Sequence, residues 1–531
     1  MKNKSFYALC SAILLTVFSC KDISQGLINY EGALPGDGKN QVLNLTNEWR
    51  NNPYKLNVVY FVPEDLDSIP NFRSRLSKIL LDAQAMFADN MDREGFGRKS
   101  FGLDLINDTL INIIYIPGNF GKATYPYDGG HGAVKAEVDA YYSLNPSAKK
   151  SEHNLIVIPT YDSDPSNPGG PPFYGTGTTC YALDYVNLDA KNLGIGGDIG
   201  WKATVWIGGM IHELGHGLNA SHNRMNKTLA PSLGTALMGS GNSTYGLSTT
   251  SLTQATTATF NNSQVFSTVT RSDWYQNASV DITSLSSSFS NNSIIISGKF
   301  TTTKPVKDVV IWHDRTPYGG NQDYDAVQWA TKVIGQDSFR FECPLSDFYD
   351  LTDEYQLRIG FLHENGSRST YGYLYNFVNG VPNLSQVVVH DLLPTTGWSI
   401  IASDSQENGS PASNVLDKDR NTIWHTPWSS AQTPQPHYFS VDMGATRSVK
   451  GLAFRNRDNL NGAMKDVHIY SSTNGTAWSL VKTAQLIQVS GSWINVDLTS
   501  VLNTRYLKIE STSSWGNFFY SHLADFGVYS N

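Results

Sequence analysis

The sequence predicts a multidomain chain, an α/β layer with a mostly parallel sheet followed by two all-β sandwiches. Three observations predict it. Between Tyr54 and Phe266, short β-prone runs alternate with stretches of helical periodicity, the pattern of strands joined by crossover helices. From about Val280 onward, Ser-rich stretches alternate with short β-prone runs, the pattern of sandwiches. A chain of 531 residues also supplies several cores rather than one.

The N-terminus reads as a leader. Lys2 and Lys4 precede an apolar run from Phe6 to Phe18, which is too short to span a membrane stably. Val17-Phe18-Ser19-Cys20 resembles a bacterial lipobox. That resemblance implies removal of residues 1–19, lipidation of Cys20, and an outer-membrane or cell-surface location in a Gram-negative bacterium. Secretion or a periplasmic location is the alternative. Residues 20–48 are polar and Gly-rich and read as a tether.

The first domain is expected over residues 49–270. Tyr54 to Val62 reads as a strand ending at Pro63, and Pro70 to Met91 has helical spacing, with Pro70 suited to a first turn. Ile111 to Ile116 is a second strand, Ala133 to Leu144 a helix and Asn154 to Ile158 a third strand. Tyr181 to Leu188 is a fourth strand, Lys202 to Leu218 a second long helix, and Leu252 to Phe266 a closing helix. A β-sandwich spacer is expected over 271–388, from runs such as Ile294 to Ile296, Val309 to Trp312, Phe339 to Phe341 and Tyr355 to Phe361. A second sandwich follows over 389–531.

Composition excludes some functions. Net charge is −8 and no strongly basic block occurs, which argues against nucleic acid or an anionic membrane surface as partner. Beyond the leader only Cys180 and Cys343 remain, in different predicted domains. They read as buried thiols, not a disulfide framework.

The most informative residues are His212-Glu213-Leu214-Gly215-His216, with His222 six residues later. On a helix, positions i and i+4 share a face, so His212 and His216 can grip one ion. Glu213 beside them can take a proton from a water on that ion. His222 reaches the same ion only if the chain turns sharply after His216. Gly217 and Asn219 stand where that turn must occur, and both residue types accept positive φ. The next Glu after Glu213 is Glu342 and the first Asp is Asp273, so no earlier carboxylate competes with His222 as third ligand.

These residues resemble the metzincin zinc peptidases, which carry HExxHxxGxxH followed by a methionine turn. Asn219 stands where that family has Gly. The resemblance covers about residues 49 to 270. It implies a metzincin-like fold, one catalytic zinc on His212, His216 and His222, Glu213 as general base, and Met238 as the methionine turn. Tyr245 is a weaker candidate for the extra Tyr ligand of some subfamilies. The activity implied is a zinc endopeptidase cutting extracellular proteins. The spacer, immunoglobulin-like or of unassigned type, shows no chemistry of its own.

The last domain resembles factor V/VIII type C, discoidin-like jelly rolls, including family 32 carbohydrate-binding modules. The matching stretches include Ala412 to His425, His437 to Gly444, Arg505 to Ile509 and Leu523 to Phe526. The resemblance implies a structural calcium at Asp417, Asp419, Thr422 and Asp525. It also implies sugar binding by His425, Arg457 and Asn461, with Trp515, Phe518 or Phe519 stacking on the ring. Together the two resemblances suggest glycoproteins or mucins as substrates. The alternative is a glycan-binding adhesion lipoprotein whose zinc domain is inactive or structural.

Overall fold

The structure, a computed structural model, describes residue 49 and residues 51–160, 170–316, 323–429 and 431–530. The expected leader, the lipidated Cys20 and the tether lie outside the described residues. Two compact units result. One holds the described residues up to Met225, Leu229–Trp274, and Asp323 with Tyr324. The other holds Asn226–Thr228 and the remaining described residues from Tyr275 onward. No helix among the described residues is long and apolar enough to cross a membrane.

In the first unit the order is β1 (Asn57–Val62), α1 (Phe72–Arg93), a small hairpin of β2 (Leu105–Asn107) and β3 (Leu110–Ile111), β4 (Ile114–Pro117) and α2 (His131–Leu144). Then come β5 (Asn154–Pro159), β6 (Gly175–Thr176), β7 (Thr179–Asp184), α3 (Gly197–Gly217), α4 (Ala230–Leu233), β8 (Thr235–Ala236), β9 (Thr250–Ser251) and α5 (Gln254–Asn261). The main sheet has the order β4-β1-β5-β7-β6. Its first four strands are parallel, and β6 closes the edge antiparallel to β7. Every residue of β1, β5 and β7 is buried. Both faces of these strands are therefore covered, which is why their sequences read as continuous apolar runs. On α1, Leu76, Ile79, Leu80, Ala83, Phe87 and Met91 face the core. Pro70 stands before that helix rather than in its first turn, because Asn71 at φ 59° makes the entry. The closing helix is shorter than its apolar pattern. Thr253 caps it by accepting from the Thr256 N–H, α5 ends at Asn261, and Gln264–Phe266 follows as a single 3₁₀ turn. Residues 185–188, read as the end of a strand, leave the sheet after Asp184.

The second unit contains two sandwich cores. One packs the sheet β10 (Val280–Ser290), β11 (Ser293–Thr302), β14 (Ser338–Pro344) against β13 (Val327–Lys332), β12 (Val306–Arg315), β15 (Glu354–His363), β16 (Arg368–Val378) and β17 (Val381–Asn383). On β16 alternate residues Tyr371, Tyr373, Tyr375 and Phe377 are buried, the two-residue period of a strand covered on one face. The other core is built on a six-stranded sheet in which β18 (Ser399–Ser403), β21 (Asp466–Ser472) and β22 (Ser479–Gln485) flank the long strands β20 (His437–Arg455) and β23 (Trp493–Ser511), with β19 (Trp424–His425) and β24 (His522–Leu523) as a separate pair. The final strand, β25 (Asp525–Tyr529), pairs with β20. Trp424, Phe439, Phe454, Ile469, Ile509 and Phe526 fill that core. Cys180 and Cys343 are buried free thiols in separate units.

Candidate metal centre

Helix α3 places His212 and His216 one turn apart, both within its buried C-terminal half or at its margin. The helix then ends in a two-bond cap. The Ala220 N–H donates to the Gly215 carbonyl at 3.0 Å, and the Asn219 N–H donates to the His216 carbonyl at 2.8 Å. Asn219 sits at φ 71°, the left-handed position that a helix terminus of this type requires. Gly217 serves differently from the turn role expected of it. It stays helical, and a Cβ there would lie 2.7 Å from the Cys180 sulfur, so glycine lets the helix approach β7.

The cap swings His222 back over the helix. The three Nε2 atoms converge: His212 to His222 is 3.2 Å, His212 to His216 is 3.2 Å and His216 to His222 is 2.8 Å. The His212 Nδ1–H donates to the Leu237 carbonyl at 2.7 Å, and the His216 Nδ1–H to the Ala220 carbonyl at 2.9 Å. A carbonyl only accepts, so each Nδ1 carries the proton and each Nε2 is left with a lone pair. Burial lowers the His212 pKa to about 4. Burial and the neighbouring His212 lower that of His216 to about 3. Both rings are therefore neutral near pH 7, the form that ligates metal. Tetrahedral ligation at about 2.0–2.1 Å from nitrogen separates ligand atoms by about 3.3 Å, so the observed triangle fits a single ion. Among the described residues, this is the one trio of His, Cys, Asp or Glu whose ligand atoms all lie within 4.8 Å of one another. Glu213, beside His212, is 1% exposed.

The segment after the histidines braces them. Leu237 supplies the carbonyl that orients His212, and its own N–H donates to the Ser251 carbonyl at 2.8 Å. The Met238 carbonyl accepts from the Asn223 N–H at 3.2 Å. The Met238 sulfur lies against Gly215, where a Cβ would stand 2.3 Å from it. Tyr245 packs against Gly208, on an earlier turn of α3. The Cys180 thiol donates to the Asn154 carbonyl at 3.4 Å, and burial together with the Glu213 charge pushes its pKa well up, so it is no thiolate. Two residues absent from the sequence reading also adjoin the histidines. Gly175 on β6 abuts His216, and Tyr324 stacks on the His222 ring at 3.8 Å. No local spacing rule links Tyr324 to the motif.

In the last domain the structure gathers some of the expected sugar-binding residues. The His425 ring lies 5.1 Å from Tyr520, which stacks on Phe518 at 4.8 Å. The charge of Arg457 acts on both His425 and Tyr520, while burial lowers the Arg457 pKa. The Asn461 carbonyl faces His522 Nε2 at 3.0 Å. Trp515 turns elsewhere: its indole N–H donates to the Leu486 carbonyl at 3.1 Å, and Lys465 covers its ring. Trp428 instead presents an open ring beside His425, 6.3 Å away and 52% exposed. Phe519 is also exposed.

The expected calcium residues divide. Asp417 accepts from the Thr422 hydroxyl at 2.6 Å and from the Asp419 N–H at 2.8 Å, and Asp419 accepts from the Asn421 N–H at 3.0 Å. Asp525 is buried and held by Arg455, whose Nε donates to it at 2.7 Å. Arg455 and Asp525 are register partners on β20 and β25.

Residues 399–524 match the F5/8 type C domain family. A sialidase from Micromonospora viridifaciens is 42% identical over 92 residues, 16% of this chain and 14% of its own length. A galactose oxidase from Gibberella zeae is 26% identical over 140 residues, 25% of this chain and 20% of its own. The chain thus spans a fifth or less of these curated relatives. Wild-type OgpA from Akkermansia muciniphila is 36% identical in its crystal structure, with a TM-score of 0.59, over 61% of this chain and 94% of that one. A catalytically inactive OgpA in complex with an O-glycopeptide (glycodrosocin) substrate matches at the same identity, with 93% of that chain covered.

Proposed function

The chain belongs to the family of OgpA, and from that membership we propose that it is a zinc-dependent endopeptidase that cuts O-glycosylated proteins. The observation that carries the proposal is the convergence of three imidazole Nε2 atoms, each within 3.2 Å of the other two, with Glu213 next to the first of them on the same helix. His212, His216 and His222 would hold the zinc. When bound, zinc lowers the pKa of a water and polarises a peptide carbonyl. The Glu213 carboxylate accepts the water proton as the carbonyl carbon is attacked, then delivers it to the leaving amide nitrogen. Leu237 and Ala220 hold the two helix imidazoles in the ligating tautomer throughout.

The F5/8 type C domain gives a second point of attachment. In this reading His425, Arg457 and Asn461 bind sugar hydroxyls while Trp428 or Tyr520 covers the apolar face of the ring. Calcium belongs to the Asp417 and Thr422 loop, whose oxygens suit a hard cation. The Asp525 carboxylate pairs with Arg455 through Oδ2, while its buried Oδ1 has no hydrogen-bond partner. Export and anchoring through Cys20 would set the enzyme against extracellular glycoproteins, with glycan capture raising the local substrate concentration.

The test offers the full chain one peptide with and without its O-linked glycan and follows cleavage by mass spectrometry. The glycosylated peptide is expected to be cut in a zinc-dependent manner and the bare peptide at least about 10-fold more slowly. Equal rates on both would remove the glycan from the proposal.

A further inference from the structure

His212 and His216 ride on α3, and each ring is turned by a backbone carbonyl. His222 lies beyond the cap, on irregular chain. Its ring face is covered by Tyr324, with centroids 3.8 Å apart and planes 24° from parallel. The plane of the same tyrosine ring is nearly parallel to that of His212, at 11°, with centroids 6.4 Å apart. Tyr324 lies far downstream of the histidines in sequence yet belongs to their compact unit.

We infer that Tyr324 is a positioning residue for the metal, holding the His222 imidazole in the plane that aims its Nε2 at the other two. The inference rests on the reading that these three histidines bind zinc. The torsion that spins an imidazole about its bond to the chain is broad and weakly restrained by itself. A ligand on a helix gains direction from the helix, whereas a ligand on a loop needs a wall. An aromatic ring stacked in parallel is such a wall, since turning the imidazole out of plane breaks the contact over the whole ring face. The contact is made by the ring face of the imidazole, the surface that a rotation of the ring would tilt away. The assignment places the working part in the ring face and not in the phenol hydroxyl.

That distinction sets the test. Full-length wild type, Tyr324→Phe, Tyr324→Leu and Tyr324→Met are loaded with one zinc each, and release to excess chelator is timed. Cobalt(II) is substituted in parallel and its visible absorption recorded. Tyr324→Phe is expected to keep the wild-type rate within about twofold, and Tyr324→Leu and Tyr324→Met to release zinc about 10-fold faster with an altered cobalt spectrum. Either aliphatic variant suffices if the other fails to fold, which circular dichroism reports. Aliphatic variants with wild-type release and spectrum would overturn the inference, as would a Phe variant that releases zinc as fast as they do. If wild type binds no zinc, or His222→Ala keeps it as tightly as wild type, the zinc reading itself falls and this one with it.

Discussion

Gly175 is where a single added carbon should reach the metal centre. It lies on β6, the edge strand, paired with Cys180 of β7 in register. A Cβ built on it stands 2.4 Å from the His216 Cβ and 3.4 Å from its Cγ. Neither Cβ can swing away, because each is fixed to its backbone. Carbon atoms rest at about 3.5–4.0 Å, so Gly175→Ala must part β6 and α3 by roughly 1 Å. Overpacking of this kind costs about 1–3 kcal/mol. A shift of about 1 Å at a ligand of the reactive centre lowers the rate about 100-fold. Gly132→Ala supplies the control: it lies on α2 with nothing within 4 Å of its built Cβ. Removing that helical glycine should stabilise by about 0.5 kcal/mol. Urea denaturation and initial cleavage rates at equal zinc content read both variants. If Gly175→Ala is as stable and active as Gly132→Ala, the packing of β6 on His216 does not govern the site.

Other expectations follow from the same geometry. Asn219→Gly should hold stability within about 0.5 kcal/mol, whereas Asn219→Val should lose about 2 kcal/mol in urea denaturation, because a β-branched residue is strained at positive φ. Equal stabilities would show that the left-handed cap is not needed. Met238→Ala should cost about 2–5 kcal/mol by opening a cavity beneath Gly215, while Met238→Leu should cost less than about 1.5 kcal/mol; calorimetry at fixed metal content separates them. Burial lowers His153 to about 4 and His313 and His522 to about 3. The unfolded chain takes up those protons near the ordinary value of about 6.5, before the folded one does. Stability of the metal-free protein should therefore fall as pH drops from about 6.5 toward 4. His437 works in the opposite sense: burial opposes its charge, but the hydrogen bond its Nδ1–H donates to Asp404 raises its pKa overall. A urea midpoint unchanged between pH 7.5 and pH 5 would contradict this balance.

The parts of this molecule governed by local rules were legible in its sequence. Helical spacing at His212 and His216, and an Asn where a left-handed residue is needed, lead directly to the convergence seen here. The continuous apolar runs of β1, β5 and β7 follow from their two covered faces. What escaped depends on contacts distant in sequence. The start of α3 at Gly197 precedes the first clear periodicity at Lys202, because Gly197 and Gly200 add no apolar signal. The Arg455 and Asp525 pair is created by strand register. Trp515 and Trp428 look alike in sequence, and only the loops decide that one bonds Leu486 while the other faces solvent beside His425. Tyr324 meets His222 through tertiary structure alone.

The central claim joins bound zinc to a carboxylate that moves a proton. It is tested most directly by measuring zinc content and O-glycopeptide cleavage together in wild type and Glu213→Gln, which keeps shape and removes the charge. One zinc per chain in both, with cleavage lowered at least about 1,000-fold in the variant, is the expected result. Cleavage by Glu213→Gln at the wild-type rate, or wild type fully active without zinc, would contradict the account.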